Sequence, residues 1–272
     1  MKNTKDYISS FFNQLLRSPL CLLCHRPSQQ EHPLCHGCEQ DLPWLDNYCP
    51  QCAEPLSTRL TTASAALSNT NAAAIFCGHC VKQPPAFNHT YAPLRYDFPA
   101  DLLIQRIKHR ADYQRIELLS QLFVKKLPQL TMQSKPHQLI PVPLHPNRLR
   151  QRGYNQAIEL AYSIAARLRI PVNTRACSRL LDTPHQQGLN AKQRRRNLRH
   201  AFSVDPEQLK MIGPYQQIAL IDDVMTTGTT AQVLAEQLKE AGVEHVSVWC
   251  LARTPAGRLH HSTTDDKNSV KP

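Results

Sequence analysis

The chain has 272 residues, 41% of them hydrophobic, which is enough for one ordinary domain and a small one. No stretch approaches the roughly 20 apolar residues of a membrane span. The opening "MKNTKDYISSFFNQLL" has no long apolar run and no small-residue cleavage site, so no secretory signal is read and a cytoplasmic location is expected. The formal net charge of +11 excludes a strongly acidic surface and suits a polyanionic partner, a nucleic acid or a phosphorylated ligand.

After an N-terminal segment (1–18), the first feature is a set of paired cysteines. Eight of the 10 cysteines form four C-x-x-C pairs: Cys21/Cys24, Cys35/Cys38, Cys49/Cys52 and Cys77/Cys80. In a reducing compartment such pairs point to metal rather than to disulfides. Two residues between thiolates let both reach one tetrahedral ion from a tight turn, the zinc-knuckle geometry. Two sites of four thiolates follow. The simplest grouping is sequential and joins Cys21, Cys24, Cys35 and Cys38 in one and Cys49, Cys52, Cys77 and Cys80 in the other; the sequence also leaves a cross-braced grouping open. Four thiolates leave no open position for water, so the expected role of Zn2+ is structural. This segment is poor in large apolar residues, so metal is expected to supply most of its folding energy. Chelation is then expected to unfold it while leaving residues 100–255 folded. The remaining Cys177 and Cys250 lie in apolar contexts and read as core thiols.

Between the last two cysteine pairs, residues 53–76 are rich in Ala, Ser, Thr and Asn without a period, and read as a surface insertion. Pro84, Pro85 and Pro93 punctuate 82–96, which places a boundary between a zinc domain (19–84) and an α/β domain (85–256). Residues 100–127 read as one or two helices. "HQLIPVPLH" (137–145) reads as a buried strand. In 154–168, Ala157, Leu160, Ala161, Ile164 and Leu168 share one helix face. "QQIALID" (216–222) is an apolar strand, 229–242 a helix closed by Gly242, and "HVSVWCLAR" (245–253) a second buried strand. Fully apolar strands separated by a helix imply a parallel sheet with helices on both faces. The tail, 257–272, is polar and reads as disordered.

Three basic clusters precede the last strand pair: Arg106, Lys108, Arg110 and Arg115; Arg148, Arg150 and Arg152; Lys192, Arg194, Arg195, Arg196 and Arg199. Few aromatics lie between them (Tyr113, Tyr154), so no base-stacking platform is evident.

The richest chemistry is in "IALIDDVMTTGTT" (218–230). A strand ends at Asp222, and a helix starts near Thr229. The loop between them lies at the carboxyl end of a parallel strand, where α/β sheets bind ligands. Backbone N–H groups of Thr226, Thr227, Gly228, Thr229 and Thr230 at a helix N-terminus suit a phosphate, with threonine hydroxyls as further donors. Asp222 and Asp223 repel phosphate and suit neighbouring hydroxyls or a divalent ion. A phosphate beside vicinal diols describes a ribose 5-phosphate.

This stretch resembles the phosphoribosyl-pyrophosphate (PRPP) motif of type I phosphoribosyltransferases: apolar strand, acidic pair, two apolar residues, then T-T-G-x-T. The order of zinc ribbons, "LRYDFPADLLIQRIKHR", "PVPLHPNRLRQRGYNQA", "DTPHQQGLNAKQRRRNLRHAF" and the acidic motif is similar to the ComF/GntX family, over residues 20–255. The resemblance implies a phosphoribosyltransferase-like parallel sheet behind a double zinc ribbon. It implies that Arg148 and Arg152 contact pyrophosphate or a nucleic-acid phosphate. It places Gln187, Arg194, Arg195 and Asn197 on a loop that closes over the site, and leaves the role of Lys108 open. Mg2+ would accompany PRPP. Three readings follow: a phosphoribosyltransferase with Asp222 and Asp223 as catalytic residues that fix the ribose through its hydroxyls, a non-catalytic single-stranded-DNA-binding module, and a PRPP-sensing regulator. Resemblance to ComF proteins implies a part in DNA uptake in competence or in the use of DNA as a nutrient, with DNA-uptake proteins as partners.

Overall fold

The computed structural model describes residues 19–57, 75–109, 111–131, 134–182, 200–209 and 217–256. The N-terminal segment, most of the 53–76 insertion, the expected closing loop with Gln187, Arg194, Arg195 and Asn197, and the tail lie outside the described residues.

Two short helices, α1 (His36–Gln40) and α2 (Gly78–Lys82), belong to the cysteine-rich part. Strands β1 (His89–Tyr91) and β2 (Leu94–Arg95) follow, then helices α3 (Ala100–His109) and α4 (Tyr113–Lys126). The chain continues through β3 (Gln138–Pro141), α5 (Pro146–Arg152), α6 (Gln156–Leu168), β4 (Cys177–Arg179), β5 (Phe202–Val204) and α7 (Pro206–Leu209). It ends with β6 (Gln217–Met225), α8 (Thr229–Glu240) and β7 (His245–Arg253). The main sheet has the order β1-β7-β6-β3, with β2 continuing the edge beside β7, and every pairing in it is parallel. β4 and β5 form a separate antiparallel pair.

Period-two alternation divides the core between the two faces. Leu139, Ala219, Ile221, Trp249 and Leu251 pack with α3, α4 and α6 on one face. Ile140, Ile218, Leu220, Val246, Val248 and Cys250 pack with Leu234, Ala235 and Leu238 of α8 on the other. The expected parallel sheet with helices on both faces is therefore present. The expected face of α6 is buried at Ala157, Leu160, Ala161 and Ile164. Its start is set by the Asn155 side chain, which accepts from the Ala157 N–H at 2.9 Å. Gly242 stands just past α8 with φ +98, and Cys177 and Cys250 are buried.

Two boundaries differ from the sequence expectation. The strand expected to stop at Asp222 runs to Met225, because β7 continues beside it and pairs Val224 with Ala252 and Met225 with Arg253. The proline-punctuated stretch 82–96 contains β1 and β2, two short strands that Pro93 separates and that pair with β7.

The cysteine-rich part is two copies of one small plan. The bridge Leu20↔Pro27 encloses the first knuckle, and Tyr48↔Pro55 encloses the second. His25 (φ 60) and Ala53 (φ 56) take the left-handed conformation directly after the second cysteine of each knuckle. Cys35 and Cys77 are the N-cap residues of α1 and α2. The two lobes do not stand apart from the sheet. Cys21, Leu34 and Leu42 belong to the first apolar cluster, and Leu45, Cys49, Cys52 and Cys80 to the second. Their linking segment bonds to the β1/β2 edge: Leu45 N–H to Pro93 O at 2.8 Å, Arg95 N–H to Pro43 O at 2.8 Å, and Thr90 N–H to Pro50 O at 3.0 Å. The lobes thus cover a sheet edge that would otherwise expose unpaired backbone. Among the described residues, no helix is long and apolar enough to cross a membrane.

Candidate functional site: a hydroxyl-lined loop at the carboxyl end of β6

The loop after β6 and the first turn of α8 line an open cleft, together with Val142 beyond β3 and Asp222. Gly228 is the N-cap of α8 at φ +74, and no side chain caps that helix. A Cβ at Gly228 would lie 2.6 Å from Met225 Cε and 4.0 Å from Phe87 Cζ. Glycine therefore meets both a conformational and a steric demand here. Thr226 and Thr227 are exposed, and the Thr227 and Thr229 hydroxyls are 2.8 Å apart. Thr226, Thr227, Gly228, Thr229 and Thr230 all line the cleft, so the expected phosphate-loop residues come together.

The two aspartates divide between different neighbours. Successive residues of a strand point to opposite faces. Asp222 turns into the cleft beside the threonines. Asp223 is buried and meets the helical layer on the other face: Lys108 Nζ of α3 is 3.5 Å from Asp223 Oδ2, and Gln156 Nε2 of α6 donates to the same oxygen at 3.4 Å. Burial pushes the Asp222 carboxyl up to about 8, the Asp223 charge adds to the rise, and Lys108 works against it.

Arg152 donates to Gln156 Oε1, which ties it through that amide to Asp223. Arg148 turns elsewhere, with Nε 3.6 Å from Asp182 Oδ1. The two expected phosphate arginines thus share α5, one turn apart, but engage different partners. Arg194 and Arg195 lie outside the described residues. Sequence reasoning missed Gln156 and Arg253 and left Lys108 without a role. Gln156 follows a helix cap, and Arg253 is a charge closing an apolar strand at the carboxyl edge of the sheet, where sites gather.

The cysteines fall into the sequential grouping. The four Sγ atoms of Cys21, Cys24, Cys35 and Cys38 lie within 4.8 Å of one another, as do those of Cys49, Cys52, Cys77 and Cys80. The sulfurs of Cys24 and Cys35 are 3.6 Å apart, as are those of Cys52 and Cys77. A tetrahedral ion with Zn–S near 2.3 Å sets sulfurs about 3.8 Å apart, so both clusters fit structural zinc.

Comparison with known proteins agrees with this plan. Residues 12–81 match the double zinc ribbon domain family. Competence protein F of Haemophilus influenzae is 34% identical over 226 residues, covering 81% of this chain and 90% of that protein. The DNA utilization protein YhgH of Escherichia coli O157:H7 is 30% identical over 239 residues, covering 86% of this chain and 97% of that protein. Among solved structures, adenine phosphoribosyltransferase of Leishmania tarentolae covers 56% of this chain and 64% of its own at 17% identity, with a TM-score of 0.34. A likeness of that size bears on neither fold nor function. Both relatives match at 30% identity or more over most of their length and of this chain, and on that ground the chain belongs to the ComF/GntX family.

Proposed function

We propose that the cleft binds the ribose 5-phosphate part of PRPP or a nucleotide, with Mg2+, and that the chain acts in the uptake or utilisation of DNA. The observation that carries the ligand is the meeting of an uncapped helix N-terminus, five hydroxyl- or glycine-bearing loop residues and the Asp222 carboxyl in one cleft. The phosphate takes the N–H groups and hydroxyls of Thr226–Thr230. Asp222 accepts from the ribose hydroxyls, and Asp223 holds Lys108 and Gln156 on the other face of the strand. Mg2+ supplies charge neutralisation of the pyrophosphate, joined by Arg152 and Lys108. In the enzymatic reading, positioning and charge stabilisation of an oxocarbenium-like state at C1 drive phosphoribosyl transfer. The DNA context rests on the names of the relatives, competence protein F and DNA utilization protein.

Calorimetry of PRPP with Mg2+ tests this reading on the zinc-loaded chain and on Asp222→Asn/Asp223→Asn. Saturable binding by the wild type that is lost in the folded variant is expected. No binding by a folded wild type sinks it.

A second reading has its own observation. α5 buries none of its residues and carries Arg148, Arg150 and Arg152, a basic rod at the surface. Single-stranded nucleic acid binding along it would weaken steeply with added salt.

A further inference from the structure

Arg253 closes β7 and is 6% exposed. Its guanidinium faces two parts of the chain at once. Toward the second cysteine lobe, Nε donates to Cys52 O at 3.0 Å, and one terminal nitrogen lies 2.8 Å from Glu54 Oε2. Toward the phosphate loop, the other terminal nitrogen donates to Met225 O at 3.2 Å and to the carbonyls of Thr226 and Thr254. A planar fork that uses three nitrogens on two segments fixes their relative position in a way no flexible ammonium does.

The carbonyls it holds matter for direction. In a trans peptide the N–H points opposite to the preceding C=O. Holding Met225 O and Thr226 O therefore sets the aim of the N–H groups of Thr226 and Thr227, the first two donors of the loop. A second tie runs alongside: Gln232 Oε1, in the first turn of α8, accepts from the Ala86 N–H at 2.8 Å, just past α2. Cys52 is a member of the second thiolate cluster, so the carbonyl that anchors Arg253 is positioned by the metal knuckle itself.

We propose that Arg253 is a positioning residue that makes the second zinc lobe part of the phosphate site, so that the Thr226–Thr230 loop keeps its binding shape only while the second cysteine cluster is metal-loaded. This rests on the phosphate reading of the loop. It also goes beyond it, because it gives the zinc ribbon a role in ligand binding rather than in folding alone. Coupling of this kind is reciprocal: a ligand that tightens the loop holds the second zinc more firmly, and leaves the first unaffected.

The test uses the full zinc-loaded chain and Arg253→Lys, which keeps a positive charge beside Glu54 but cannot bridge the carbonyls. Three quantities are read: zinc content, hydrogen exchange along the chain, and zinc release to a chelator with and without PRPP–Mg2+. In Arg253→Lys, both zinc equivalents and the protection of β6 and β7 are expected to persist, while the Thr226–Thr230 amides exchange about tenfold faster. In the wild type, PRPP is expected to slow the release of one zinc equivalent of the two, and in Arg253→Lys to slow neither. Unchanged loop exchange in the variant overturns the proposal, as does wild-type zinc release indifferent to PRPP that calorimetry shows to be bound. Should Arg253→Lys fail to fold, Glu54→Gln removes only the carboxylate anchor and is read the same way. Absence of PRPP binding sinks the phosphate reading alone, because loop exchange still decides whether Arg253 positions the loop.

Discussion

Lys108 Nζ stands 3.5 Å from Asp223 Oδ2, where the carboxylate side chain is 8% exposed and the lysine 29%. The lysine is also 5.4 Å from the centroid of the Tyr96 ring. A basic residue of α3 is thereby drawn to the carboxyl end of β6, although the sequence places it in a stretch of no evident role. Removing the ammonium leaves a buried carboxylate with two neutral donors, the Val224 N–H at 2.7 Å and the Gln156 amide at 3.4 Å.

Lys108→Met is expected to cost about 1–2 kcal/mol of stability in urea unfolding with zinc held constant. Lys108→Met combined with Asp223→Asn is expected to recover most of it, because the uncompensated charge goes too. A loss under about 0.3 kcal/mol, typical of an exposed ion pair, would show that the pair is solvated and does not shape the site.

Asp222 supplies a pH dependence. Unfolded, an aspartate titrates near 3.9; folded, burial and then the Asp223 charge hold Asp222 up near 8. Between those values the native state binds more protons than the unfolded chain, so this residue makes stability fall as pH rises through the window and level off above it. Asp222→Asn is expected to remove that slope and to melt higher than the wild type on the alkaline side. Accepting ribose hydroxyls requires the ionised carboxylate, so ligand binding near neutral pH is expected to release a proton. Calorimetry in buffers of differing ionisation enthalpy reads that proton directly. A melting curve for Asp222→Asn parallel to the wild type across the window rules out a shared buried proton.

How far the chain could be read without coordinates follows from which signals are local. The cysteine pairs, the helix face of Ala157, Leu160, Ala161 and Ile164, and the loop from Thr226 to Thr230 are each set by neighbours within a dozen positions. Spacing and period alone carry them. The β1/β2 edge strand was not legible, because its pieces of three and two residues are too short to show alternation and Pro93 lies between them. Gln156 and Arg253 find partners at separations of 67 and 201 residues, in Asp223 and Cys52, and no local pattern marks such contacts. The acidic pair was read as one unit. The strand's extension past Asp222 is what divides it between two faces.

Gly228 allows a ranked test. At φ +74 a residue with a Cβ is strained, and the Cβ also approaches the flexible end of Met225. Gly228→Ala is expected to cost about 1–2 kcal/mol through the left-handed backbone. Gly228→Asn is expected to cost less, since asparagine enters that region more readily. PRPP affinity is expected to fall in the same order, measured by calorimetry on zinc-loaded protein. Equal losses for Ala and Asn would mean that contact with Met225, and not the backbone, decides the position.

Zinc removal separates two pictures of the cysteine lobes. From sequence alone, the lobes are a module whose loss leaves residues 100–255 folded. In the structure Cys21 shares a buried cluster with Leu94, Leu122 and Trp249, and Cys49, Cys52 and Cys80 share the other with Ile218, Leu220 and Val248. Structural zinc contributes on the order of 10–16 kcal/mol in small fingers, against a total stability of about 5–15 kcal/mol for a typical domain. Lobes that form part of both cores cannot lose that much and leave the sheet untouched. Chelation is therefore expected to expose the β1/β2 edge and to lower the melting temperature of the whole chain. Trp44, against the first lobe, and Trp249, in β7, are expected to respond together in a single transition followed by fluorescence and helical circular dichroism. Persistent amide protection across β6 and β7 after complete zinc removal would restore the modular picture.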